Sequence, residues 1–592
     1  MLEKQVMIYS VDTGDFYSKR EAYLHNLNHK LRRERNQLIN GTEIRNSKTK
    51  KKRTIVGLKY IEKAILSSGI EKETLKLIEK GEKQPFDYSI DIENNIKEYL
   101  RLKKLISLKN QKIKNSKEIL LLLLSNKVEV NIKQNGKHHI RTLNESCISD
   151  KKIISVFESA FTRIIKAFPD ELSEDFLVVQ VFYFSVIKDL IYNGFEYKGE
   201  KYIYFTSSAG QIRTKKCVFV KECVWKKYEK TLMCGLTIDD INKNGGINTN
   251  KYLAYMALSN SATDEWKEFD IDKTIVIDDF ETNVFGIVDF IDDKDYSITR
   301  KADYFNICHT DGCGMILPNA FGRNQKNMMI RLPFVKGLIS PFPFDRFIKE
   351  NGCSSIIKDI YGTEHDIINE DIQVIFTKSQ FKLAKYYTNW QEYKDNFKKY
   401  HCSAGYTNIE SNRIKNTTIN YQMLQSLVDI SDEEILAISD SSVKKLKTLC
   451  DSVQNIKNVF GITPYNQNKT SLQKAIEIYP ELLNDVYIRS KLKDIKDSLI
   501  KKYKSGKLQV NGKYTFILPD LYAACEYWFL KNDNPQGLLN DGEVFCWLFR
   551  QDNELDCLRS PHLYMEHAVR KNVVNAEIRE WFNTNALYTS CH

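Results

Sequence analysis

Between Phe195 and Phe376 the chain repeats one pattern. Short runs of alternating β-branched and aromatic residues are each closed by a turn rich in small residues, Gly, Pro or Asp. "FEYKGEKYIYFTSSAGQIRTKKCVFV", "KTIVIDDFETNVFGIVDFID", "ADYFNICHTDGCGMILP", "MMIRLPFVKGLIS" and "DIQVIFTKSQF" all read this way. Many short strands broken by such turns predict a barrel or a sandwich, because only a closed or doubled sheet covers so many strand faces. One run departs from the pattern. "MMIRLPFVKGLISPFPF", Met328–Phe344, is almost wholly apolar yet holds Lys336. A buried ammonium group is costly unless it is paired or put to use.

Around this β region the texture differs. Residues 1–195 read as mostly helical and basic, with a dense cationic block at Lys30–Arg53. Such a block suits phosphate contacts through counterion release, or simply a solvated helix face and loop. Further along, "VEVNIKQNGKHHIRTL", Val128–Leu143, alternates around Asn135-Gly136 and predicts a hairpin. Residues 401–507 return to lysine-rich helical periodicity. A second β region opens at "LQVNGKYTFILPDLYAACEYWFL", Leu508–Leu530, and runs through "GLLNDGEVFCWLF" and "LDCLRSPHLYMEH".

The 592 residues exceed one core, so several domains are expected. A net charge of +11 permits a polyanionic partner without requiring one. Thirteen cysteines, an odd number without regular spacing, and the absence of an apolar leader favour free thiols in a reducing, cytoplasmic setting. The longest aliphatic run, Ile119–Leu124, is too short to span a bilayer, so no membrane partner is expected.

Few residues carry chemistry on their own. Lys336, followed by Gly337 and preceded by Arg331, suits a cleft that meets phosphate, with lysine as a point charge and arginine as a planar fork. The bland alternative is an edge lysine snorkelling to water. Arg213 follows the small-residue turn Ser207–Gly210, either near a ligand or as an ordinary surface arginine. Asp311, between Thr310 and Gly312, is a lone carboxylate and a poor magnesium site; Gly312 and Gly314 suit a tight turn. Cys308, His309 and Cys313 lack a fourth zinc ligand at standard spacing. The acids of "DDFETNVFGIVDFIDDKD" alternate with apolar residues and are expected to face solvent. No P-loop, G-x-S-x-G or H-E-x-x-H string occurs.

Taken in order, the motifs resemble those of the cellular RNA-dependent RNA polymerases of RNA silencing, a group that shares its core with phage and bacterial single-chain polymerases. "KYIYFTSSAGQIR" is similar to S-S-S-Q-x-R, and "NKYLAYMALSNSAT" to the family's helix end rich in small residues. "HTDGCGMILP" is similar to T-D-G-x-G-x-I-S, "IRLPFVKGLIS" to R-x-x-G-x-K-G-V-L and "VIFTKSQFKL" to R-P-S-x-x-K-F. "GLLNDGEVF" is similar to G-x-L-x-x-G-x-V-F, and "LRSPHLYMEH" to R-x-P-x-L-H-x-G-D. The resemblance implies an α+β chain: a helical N-terminal region (1–195), a first double-psi β-barrel region (196–400), a helical connector (401–507) and an incomplete second double-psi β-barrel (508–592). It implies template-directed RNA synthesis from NTPs on RNA, or on DNA as in the phage relatives. Lys336 falls on the barrel lysine that contacts nucleotide phosphates. Arg213, Arg331 and Lys382 fall on basic positions lining the substrate or template path, and Asp311, Gly312, Gly314 and Gly337 on structural signature positions.

Departures accompany the match. Pro333 or Phe334 stands where the family has glycine, Thr377 where it has arginine and Glu566 where it has glycine. The family's D-x-D-G-D, whose aspartates hold Mg2+, does not occur. The expectation is therefore that the sequence stops before the catalytic loop, or that a second polypeptide completes the site, and that this chain alone is inactive without magnesium ligands. A non-catalytic nucleic-acid-binding scaffold is the competing reading.

Overall fold

In the computed structural model the described residues are 5–592, apart from 46–51, 85–87, 134–139, 170, 182, 412–413, 415, 420, 464–465, 467–468 and 560–566. They divide into two units. One comprises residues 8–154 and 174–225; the other comprises 155–173 and 226–592 with the N-terminal segment through Met7.

The first unit is built on two helices. α1 (Lys19–Asn40) opens on a reciprocal cap, in which Glu21 N–H donates to Ser18 Oγ and Ser18 N–H to Glu21 Oε2. α2 (Ile90–Lys133) buries Ile96, Tyr99, Leu102, Ile106, Ile113 and Leu120, a stripe at helical spacing. Ser116 Oγ of α2 donates to Asn28 Oδ1 of α1 at 2.8 Å, a buried polar pair within that seam. The predicted hairpin does not form as drawn: Val128–Lys133 is the end of α2, and the Asn135-Gly136 turn lies outside the described residues. A continuous helix from Ile90 overrides the local alternation.

The same unit holds strands Arg141–Thr142, Phe195–Tyr197, Glu200–Thr206, Lys216–Lys221 and Leu172–Gln180, neighbours in that order. Lys198 (φ 51°) and Gly199 (φ 77°) form the two-residue turn joining the second and third of these. The front of the chain is thus mostly helix, as expected, with a sheet that was not expected. The first β signals after Phe195 pair with Leu172–Gln180 in this unit, displacing the boundary expected at 196. The apolar run "FLVVQVF" was compatible with a buried helix or strand by periodicity alone. Arg141 is buried here, with Nε 2.5 Å from Asp189 and Nη1 3.3 Å from Glu21.

The second unit holds two sheets of one design. In the first, β1 (Thr274–Ile277), β2 (Cys313–Ile316), β3 (Met328–Leu332), β4 (Val335–Pro341) and β5 (Val374–Thr377) lie in the order β1-β5-β2-β4-β3. β1 and β5 are parallel, β5 and β2 antiparallel, β2 and β4 parallel, and β4 and β3 antiparallel. Gly405–Thr407 and Asp264–Glu265 extend the β3 edge. In the second sheet, β6 (Ile517–Pro519), β7 (Glu543–Phe545), β8 (Glu554–Leu558), β9 (His567–Asn572) and β10 (Leu587–Thr589) lie in the order β6-β10-β7-β9-β8. The parallel and antiparallel pairings follow the same sequence. A helix follows the fourth strand in each: α3 (Phe344–Asn351) after β4 and α5 (Ala576–Trp581) after β9. Between β6 and β7 stands α4 (Leu521–Phe529); between β1 and β2 stands a two-stranded ribbon, Glu281–Ile291 with Ile298–Cys308. Helices Asp432–Lys447, Val453–Val459, Ser471–Ile478 and Val486–Lys504 separate the two sheets in sequence.

One hydrophobic core serves both sheets. Ile275, Met315, Leu338, Phe342 and Ile375 from the first join Leu518, Trp528, Phe545, Phe582 and Tyr588 from the second. Trp528 Nε1–H donates to the carbonyl of Asp278, 3.1 Å away at the end of β1. No helix among the described residues is long and apolar enough to cross a membrane.

Candidate functional site

β3 and β4 form a tight hairpin whose two-residue turn is Pro333-Phe334. Phe334 takes φ 60° and is buried, its carbonyl accepts Lys382 N–H at 2.8 Å, and the Pro333 carbonyl accepts the Tyr393 hydroxyl at 2.7 Å. Here the family glycine is replaced, and the turn is held by these contacts. Its register sets Arg331 directly opposite Lys336, so both side chains leave the same face of the sheet.

Three motifs meet beside that pair. Thr310-Asp311-Gly312-Cys313 is a turn closed by Cys313 N–H on the Thr310 carbonyl at 2.8 Å, with Gly312 at φ 69°. Asp311 projects exposed from its tip. Buried Asp279 ties the turn to the loop after β5, accepting Thr310 Oγ1–H at 3.1 Å, Ser379 N–H at 2.8 Å and Ser379 Oγ–H at 2.6 Å. Gly312 N–H donates to Ser379 Oγ at 2.7 Å.

Gln380, fully buried, fills the space between the strands. Its amide nitrogen donates to the Leu338 carbonyl at 2.9 Å, its side-chain oxygen accepts Thr377 N–H at 3.1 Å, and its own carbonyl accepts Lys336 N–H at 3.1 Å. The two motif glycines make that possible. A Cβ on Gly314 would lie 2.4 Å from the Ile375 carbonyl oxygen and 2.6 Å from Gln380 Oε1; one on Gly337 would lie 2.4 Å from the Gly312 carbonyl oxygen. Thr377, standing where the family has arginine, is buried with its hydroxyl on the Cys313 carbonyl at 2.9 Å.

The result is a cluster of three cations with no ion-paired carboxylate among the described residues, Asp311 acting only at longer range. Lys336 is half-buried, and burial, then the charges of Lys382 and Arg331, push its ammonium pKa down, with Asp311 opposing. Arg331 Nη1 donates to the Ile330 carbonyl at 2.7 Å while its buried Nε has no partner among the described residues. Burial lowers its pKa too. A small cavity beside it is lined by Tyr255, Met256 and Ser259, from the small-residue helix end, and by Phe334 and Ser403. Lys382 Nζ donates to the Ser379 carbonyl. None of the three cations has a carboxylate within ion-pair distance among the described residues. Such a cluster favours an anion arriving from outside.

Lys336, Arg331, Lys382, Asp311, Gly312, Gly314 and Gly337 are therefore brought together. Arg213 belongs to the other unit, at the end of helix Ala209–Arg213. That helix opens on a reciprocal pair, Ser208 N–H to Gln211 Oε1 at 2.7 Å and Gln211 N–H to Ser208 Oγ at 3.1 Å, so the serine-glutamine motif works there as a helix cap rather than a strand turn. Glu566 lies outside the described residues. Asp279, Ser379 and Gln380 are the positioning residues that sequence reasoning missed. The available signal was a polar Thr-x-Ser-Gln run that begins on Thr377, the last residue of the fully buried strand β5. His309 packs on Phe280 at 4.5 Å and shares a 2.7 Å hydrogen bond with Thr282 Oγ1; burial and then the charge of His592, beyond β10, lower its pKa. No group of three or more His, Cys, Asp or Glu side chains that could hold a metal occurs among the described residues.

Residues 150–570 match the sequence model of the family described as RNA dependent RNA polymerase. The chain is 43% identical over 592 residues to the DNA-directed RNA polymerase YonO of Bacillus phage SPbeta; the match covers all of this chain and 62% of the relative. It is also similar to the RNA dependent RNA polymerase QDE-1 from Thielavia terrestris at 13% identity, with a TM-score of 0.43 over 73% of this chain and 47% of that one. The chain belongs to the RNA-dependent RNA polymerase family.

Proposed function

We propose that this chain is part of an RNA polymerase that joins NTPs along a nucleic-acid template, and that its two like-ordered sheets are a pair of double-psi β-barrels sharing one cleft. The observation that carries the reading is the Lys336–Arg331–Lys382 cluster, three cations gathered without a carboxylate partner on a rigid hairpin and loop. Lys336 contacts nucleotide phosphate and offsets charge that builds during phosphoryl transfer; pre-placed charge in a dry site is a large catalytic term. Arg331 and Lys382 hold the substrate or template backbone beside it, and Arg213, in the other unit, is assigned a nucleic-acid contact of its own. Asp311 and the three glycines shape the turn and the passage for Gln380. The 43% identity along the whole chain to a DNA-directed enzyme favours DNA as template. A cytoplasmic setting accords with this role.

Magnesium is the metal that the family reading implies. The described residues do not fit a magnesium cradle, so no step is assigned to a metal held by them. The chain spans 62% of the length of its phage relative. The test is primer-independent incorporation of labelled NTPs by the full-length protein on single-stranded DNA and RNA. Lys336→Ala is expected to cut incorporation by about tenfold or more at unchanged melting temperature. Wild-type rates in that variant would remove Lys336 from the site, and no incorporation on either template would leave the scaffold reading.

A further inference from the structure

The positive charge of this chain is concentrated in the unit that does not hold the Lys336 cluster. Residues 8–154 and 174–225 contain 39 Lys and Arg against 24 Asp and Glu, a net +15, which leaves −4 of the whole chain's +11 to the other unit. Within the first unit, residues 19–55 alone hold 12 Lys and Arg against 3 Asp and Glu.

α1 gives part of this charge a defined geometry. An open groove along it is lined by His29, Arg32, Arg33, Asn36, Gln37 and Asn40, closing at Gly41. These residues recur at three- and four-residue spacing, so they share one helix face. No carboxylate lines the groove among the described residues. Glu34 is taken up instead by Lys109 of α2, whose hydrogen bond holds the Glu34 carboxyl below its usual range. His29, Arg32 and Arg33 have no ion-pair partner among the described residues, and all three are exposed. Two guanidinium groups, an imidazole and three side-chain amides in one row are the donor set that contacts nucleic-acid backbones. The row is about 18 Å long on a straight helix, which matches the backbone of a rigid duplex over about five base pairs.

We propose that this face of α1 docks the phosphate backbone of duplex nucleic acid, as a contact separate from the Lys336 cluster. The choice of nucleic acid over other polyanions rests on the polymerase reading; the charge and geometry do not.

The test is fluorescence anisotropy of the full-length protein with a 5′-labelled duplex DNA, across a series of NaCl concentrations. Arg32→Gln with Arg33→Gln is expected to flatten the slope of log Kobs against log[NaCl] by about 1.8, and Arg32→Gln alone by about 0.9. Lys72→Gln with Lys76→Gln, exposed cations on helix Lys72–Lys80, is expected to leave the slope unchanged. An unchanged slope in the arginine variants, or an equal change in the lysine control, overturns the proposal. So does binding to phosphatidylserine vesicles that is tighter than to DNA and lost in the same arginine variants. A single-stranded probe bound equally tightly and equally weakened would overturn the duplex assignment. The readout needs no catalysis. NTP incorporation tests the polymerase reading and the salt slope tests this surface, so failure of the one is distinguishable from failure of the other.

Discussion

Asp520 is fully buried and accepts four backbone N–H groups: Tyr522 and Ala523 at 3.0 Å each, Leu538 at 2.6 Å and Leu539 at 3.1 Å. It thereby caps α4 and pins the loop that enters β7. The first glycine of "GLLNDGEVF" follows from this, since a Cβ on Gly537 would sit 2.4 Å from Asp520 Oδ2. Burial pushes the Asp520 carboxyl up to about 6, against the pull of the four amides. A carboxyl raised on folding adds most stability below its unfolded pKa, and that stability is lost as pH rises through the folded value. Denaturant unfolding should therefore show the wild-type advantage over Asp520→Asn larger at pH 5 than at pH 7.5 by about 1 kcal/mol. An advantage that instead grows with pH would mean that the amides keep the carboxylate charged. At this scale the sequence was informative where a residue type is itself the constraint, as with Lys336, Gly314 and Gly337. Asp279 and Gln380 were not legible, because Asp279 acts through partners 31 and 100 residues away and Gln380 joins its neighbour Thr377 to Leu338, 42 residues away.

The ribbon between β1 and β2 is the element that alternation misread. Its eleven register pairs run from Glu281↔Cys308 to Ile291↔Ile298. Its acids face solvent as expected, although Asp279 just before it, in the same acidic run, is buried by its hydrogen bonds to Thr310 and Ser379; its apolar side chains face solvent too: Phe285 is 62% exposed, Ile287 70% and Tyr304 68%. Alternation marks two faces and cannot say whether either is covered. Residues 281–308 hold six Asp and Glu against three Lys and Arg, and Asp289 pairs with Arg300 across the strands at 2.8 Å. A ribbon that buries so little should add little to the stability of the sheet it leaves. Replacing residues 284–305 by Asn-Gly, so that Asn283 and Asn306 flank a two-residue turn, should shift the melting temperature by less than about 3 °C. A fall of 10 °C or more would make the ribbon part of the folded core.

At the scale of the whole molecule, the two β regions and the helices between them were visible in composition and periodicity. The repetition of one strand order was not. In both sheets the first strand pairs with the fifth and the second with the fourth, partners separated by up to about 100 residues, which local patterning cannot register. Nor could it reveal that both sheets drain into one core. That core implies that the sheets stand or fall together, because neither buries its apolar face alone. Trp528 tests this. It sits on α4 of the second sheet, is 5% exposed, and donates to Asp278 beside β1 of the first. Trp528→Ala should cost about 3–5 kcal/mol through lost burial and the cavity left behind. Amide exchange should then accelerate together at Ile375 in β5 and Tyr588 in β10. Faster exchange at Tyr588 with Ile375 unchanged would make the sheets independent folding units, and a cleft built between them would lose its rigid frame.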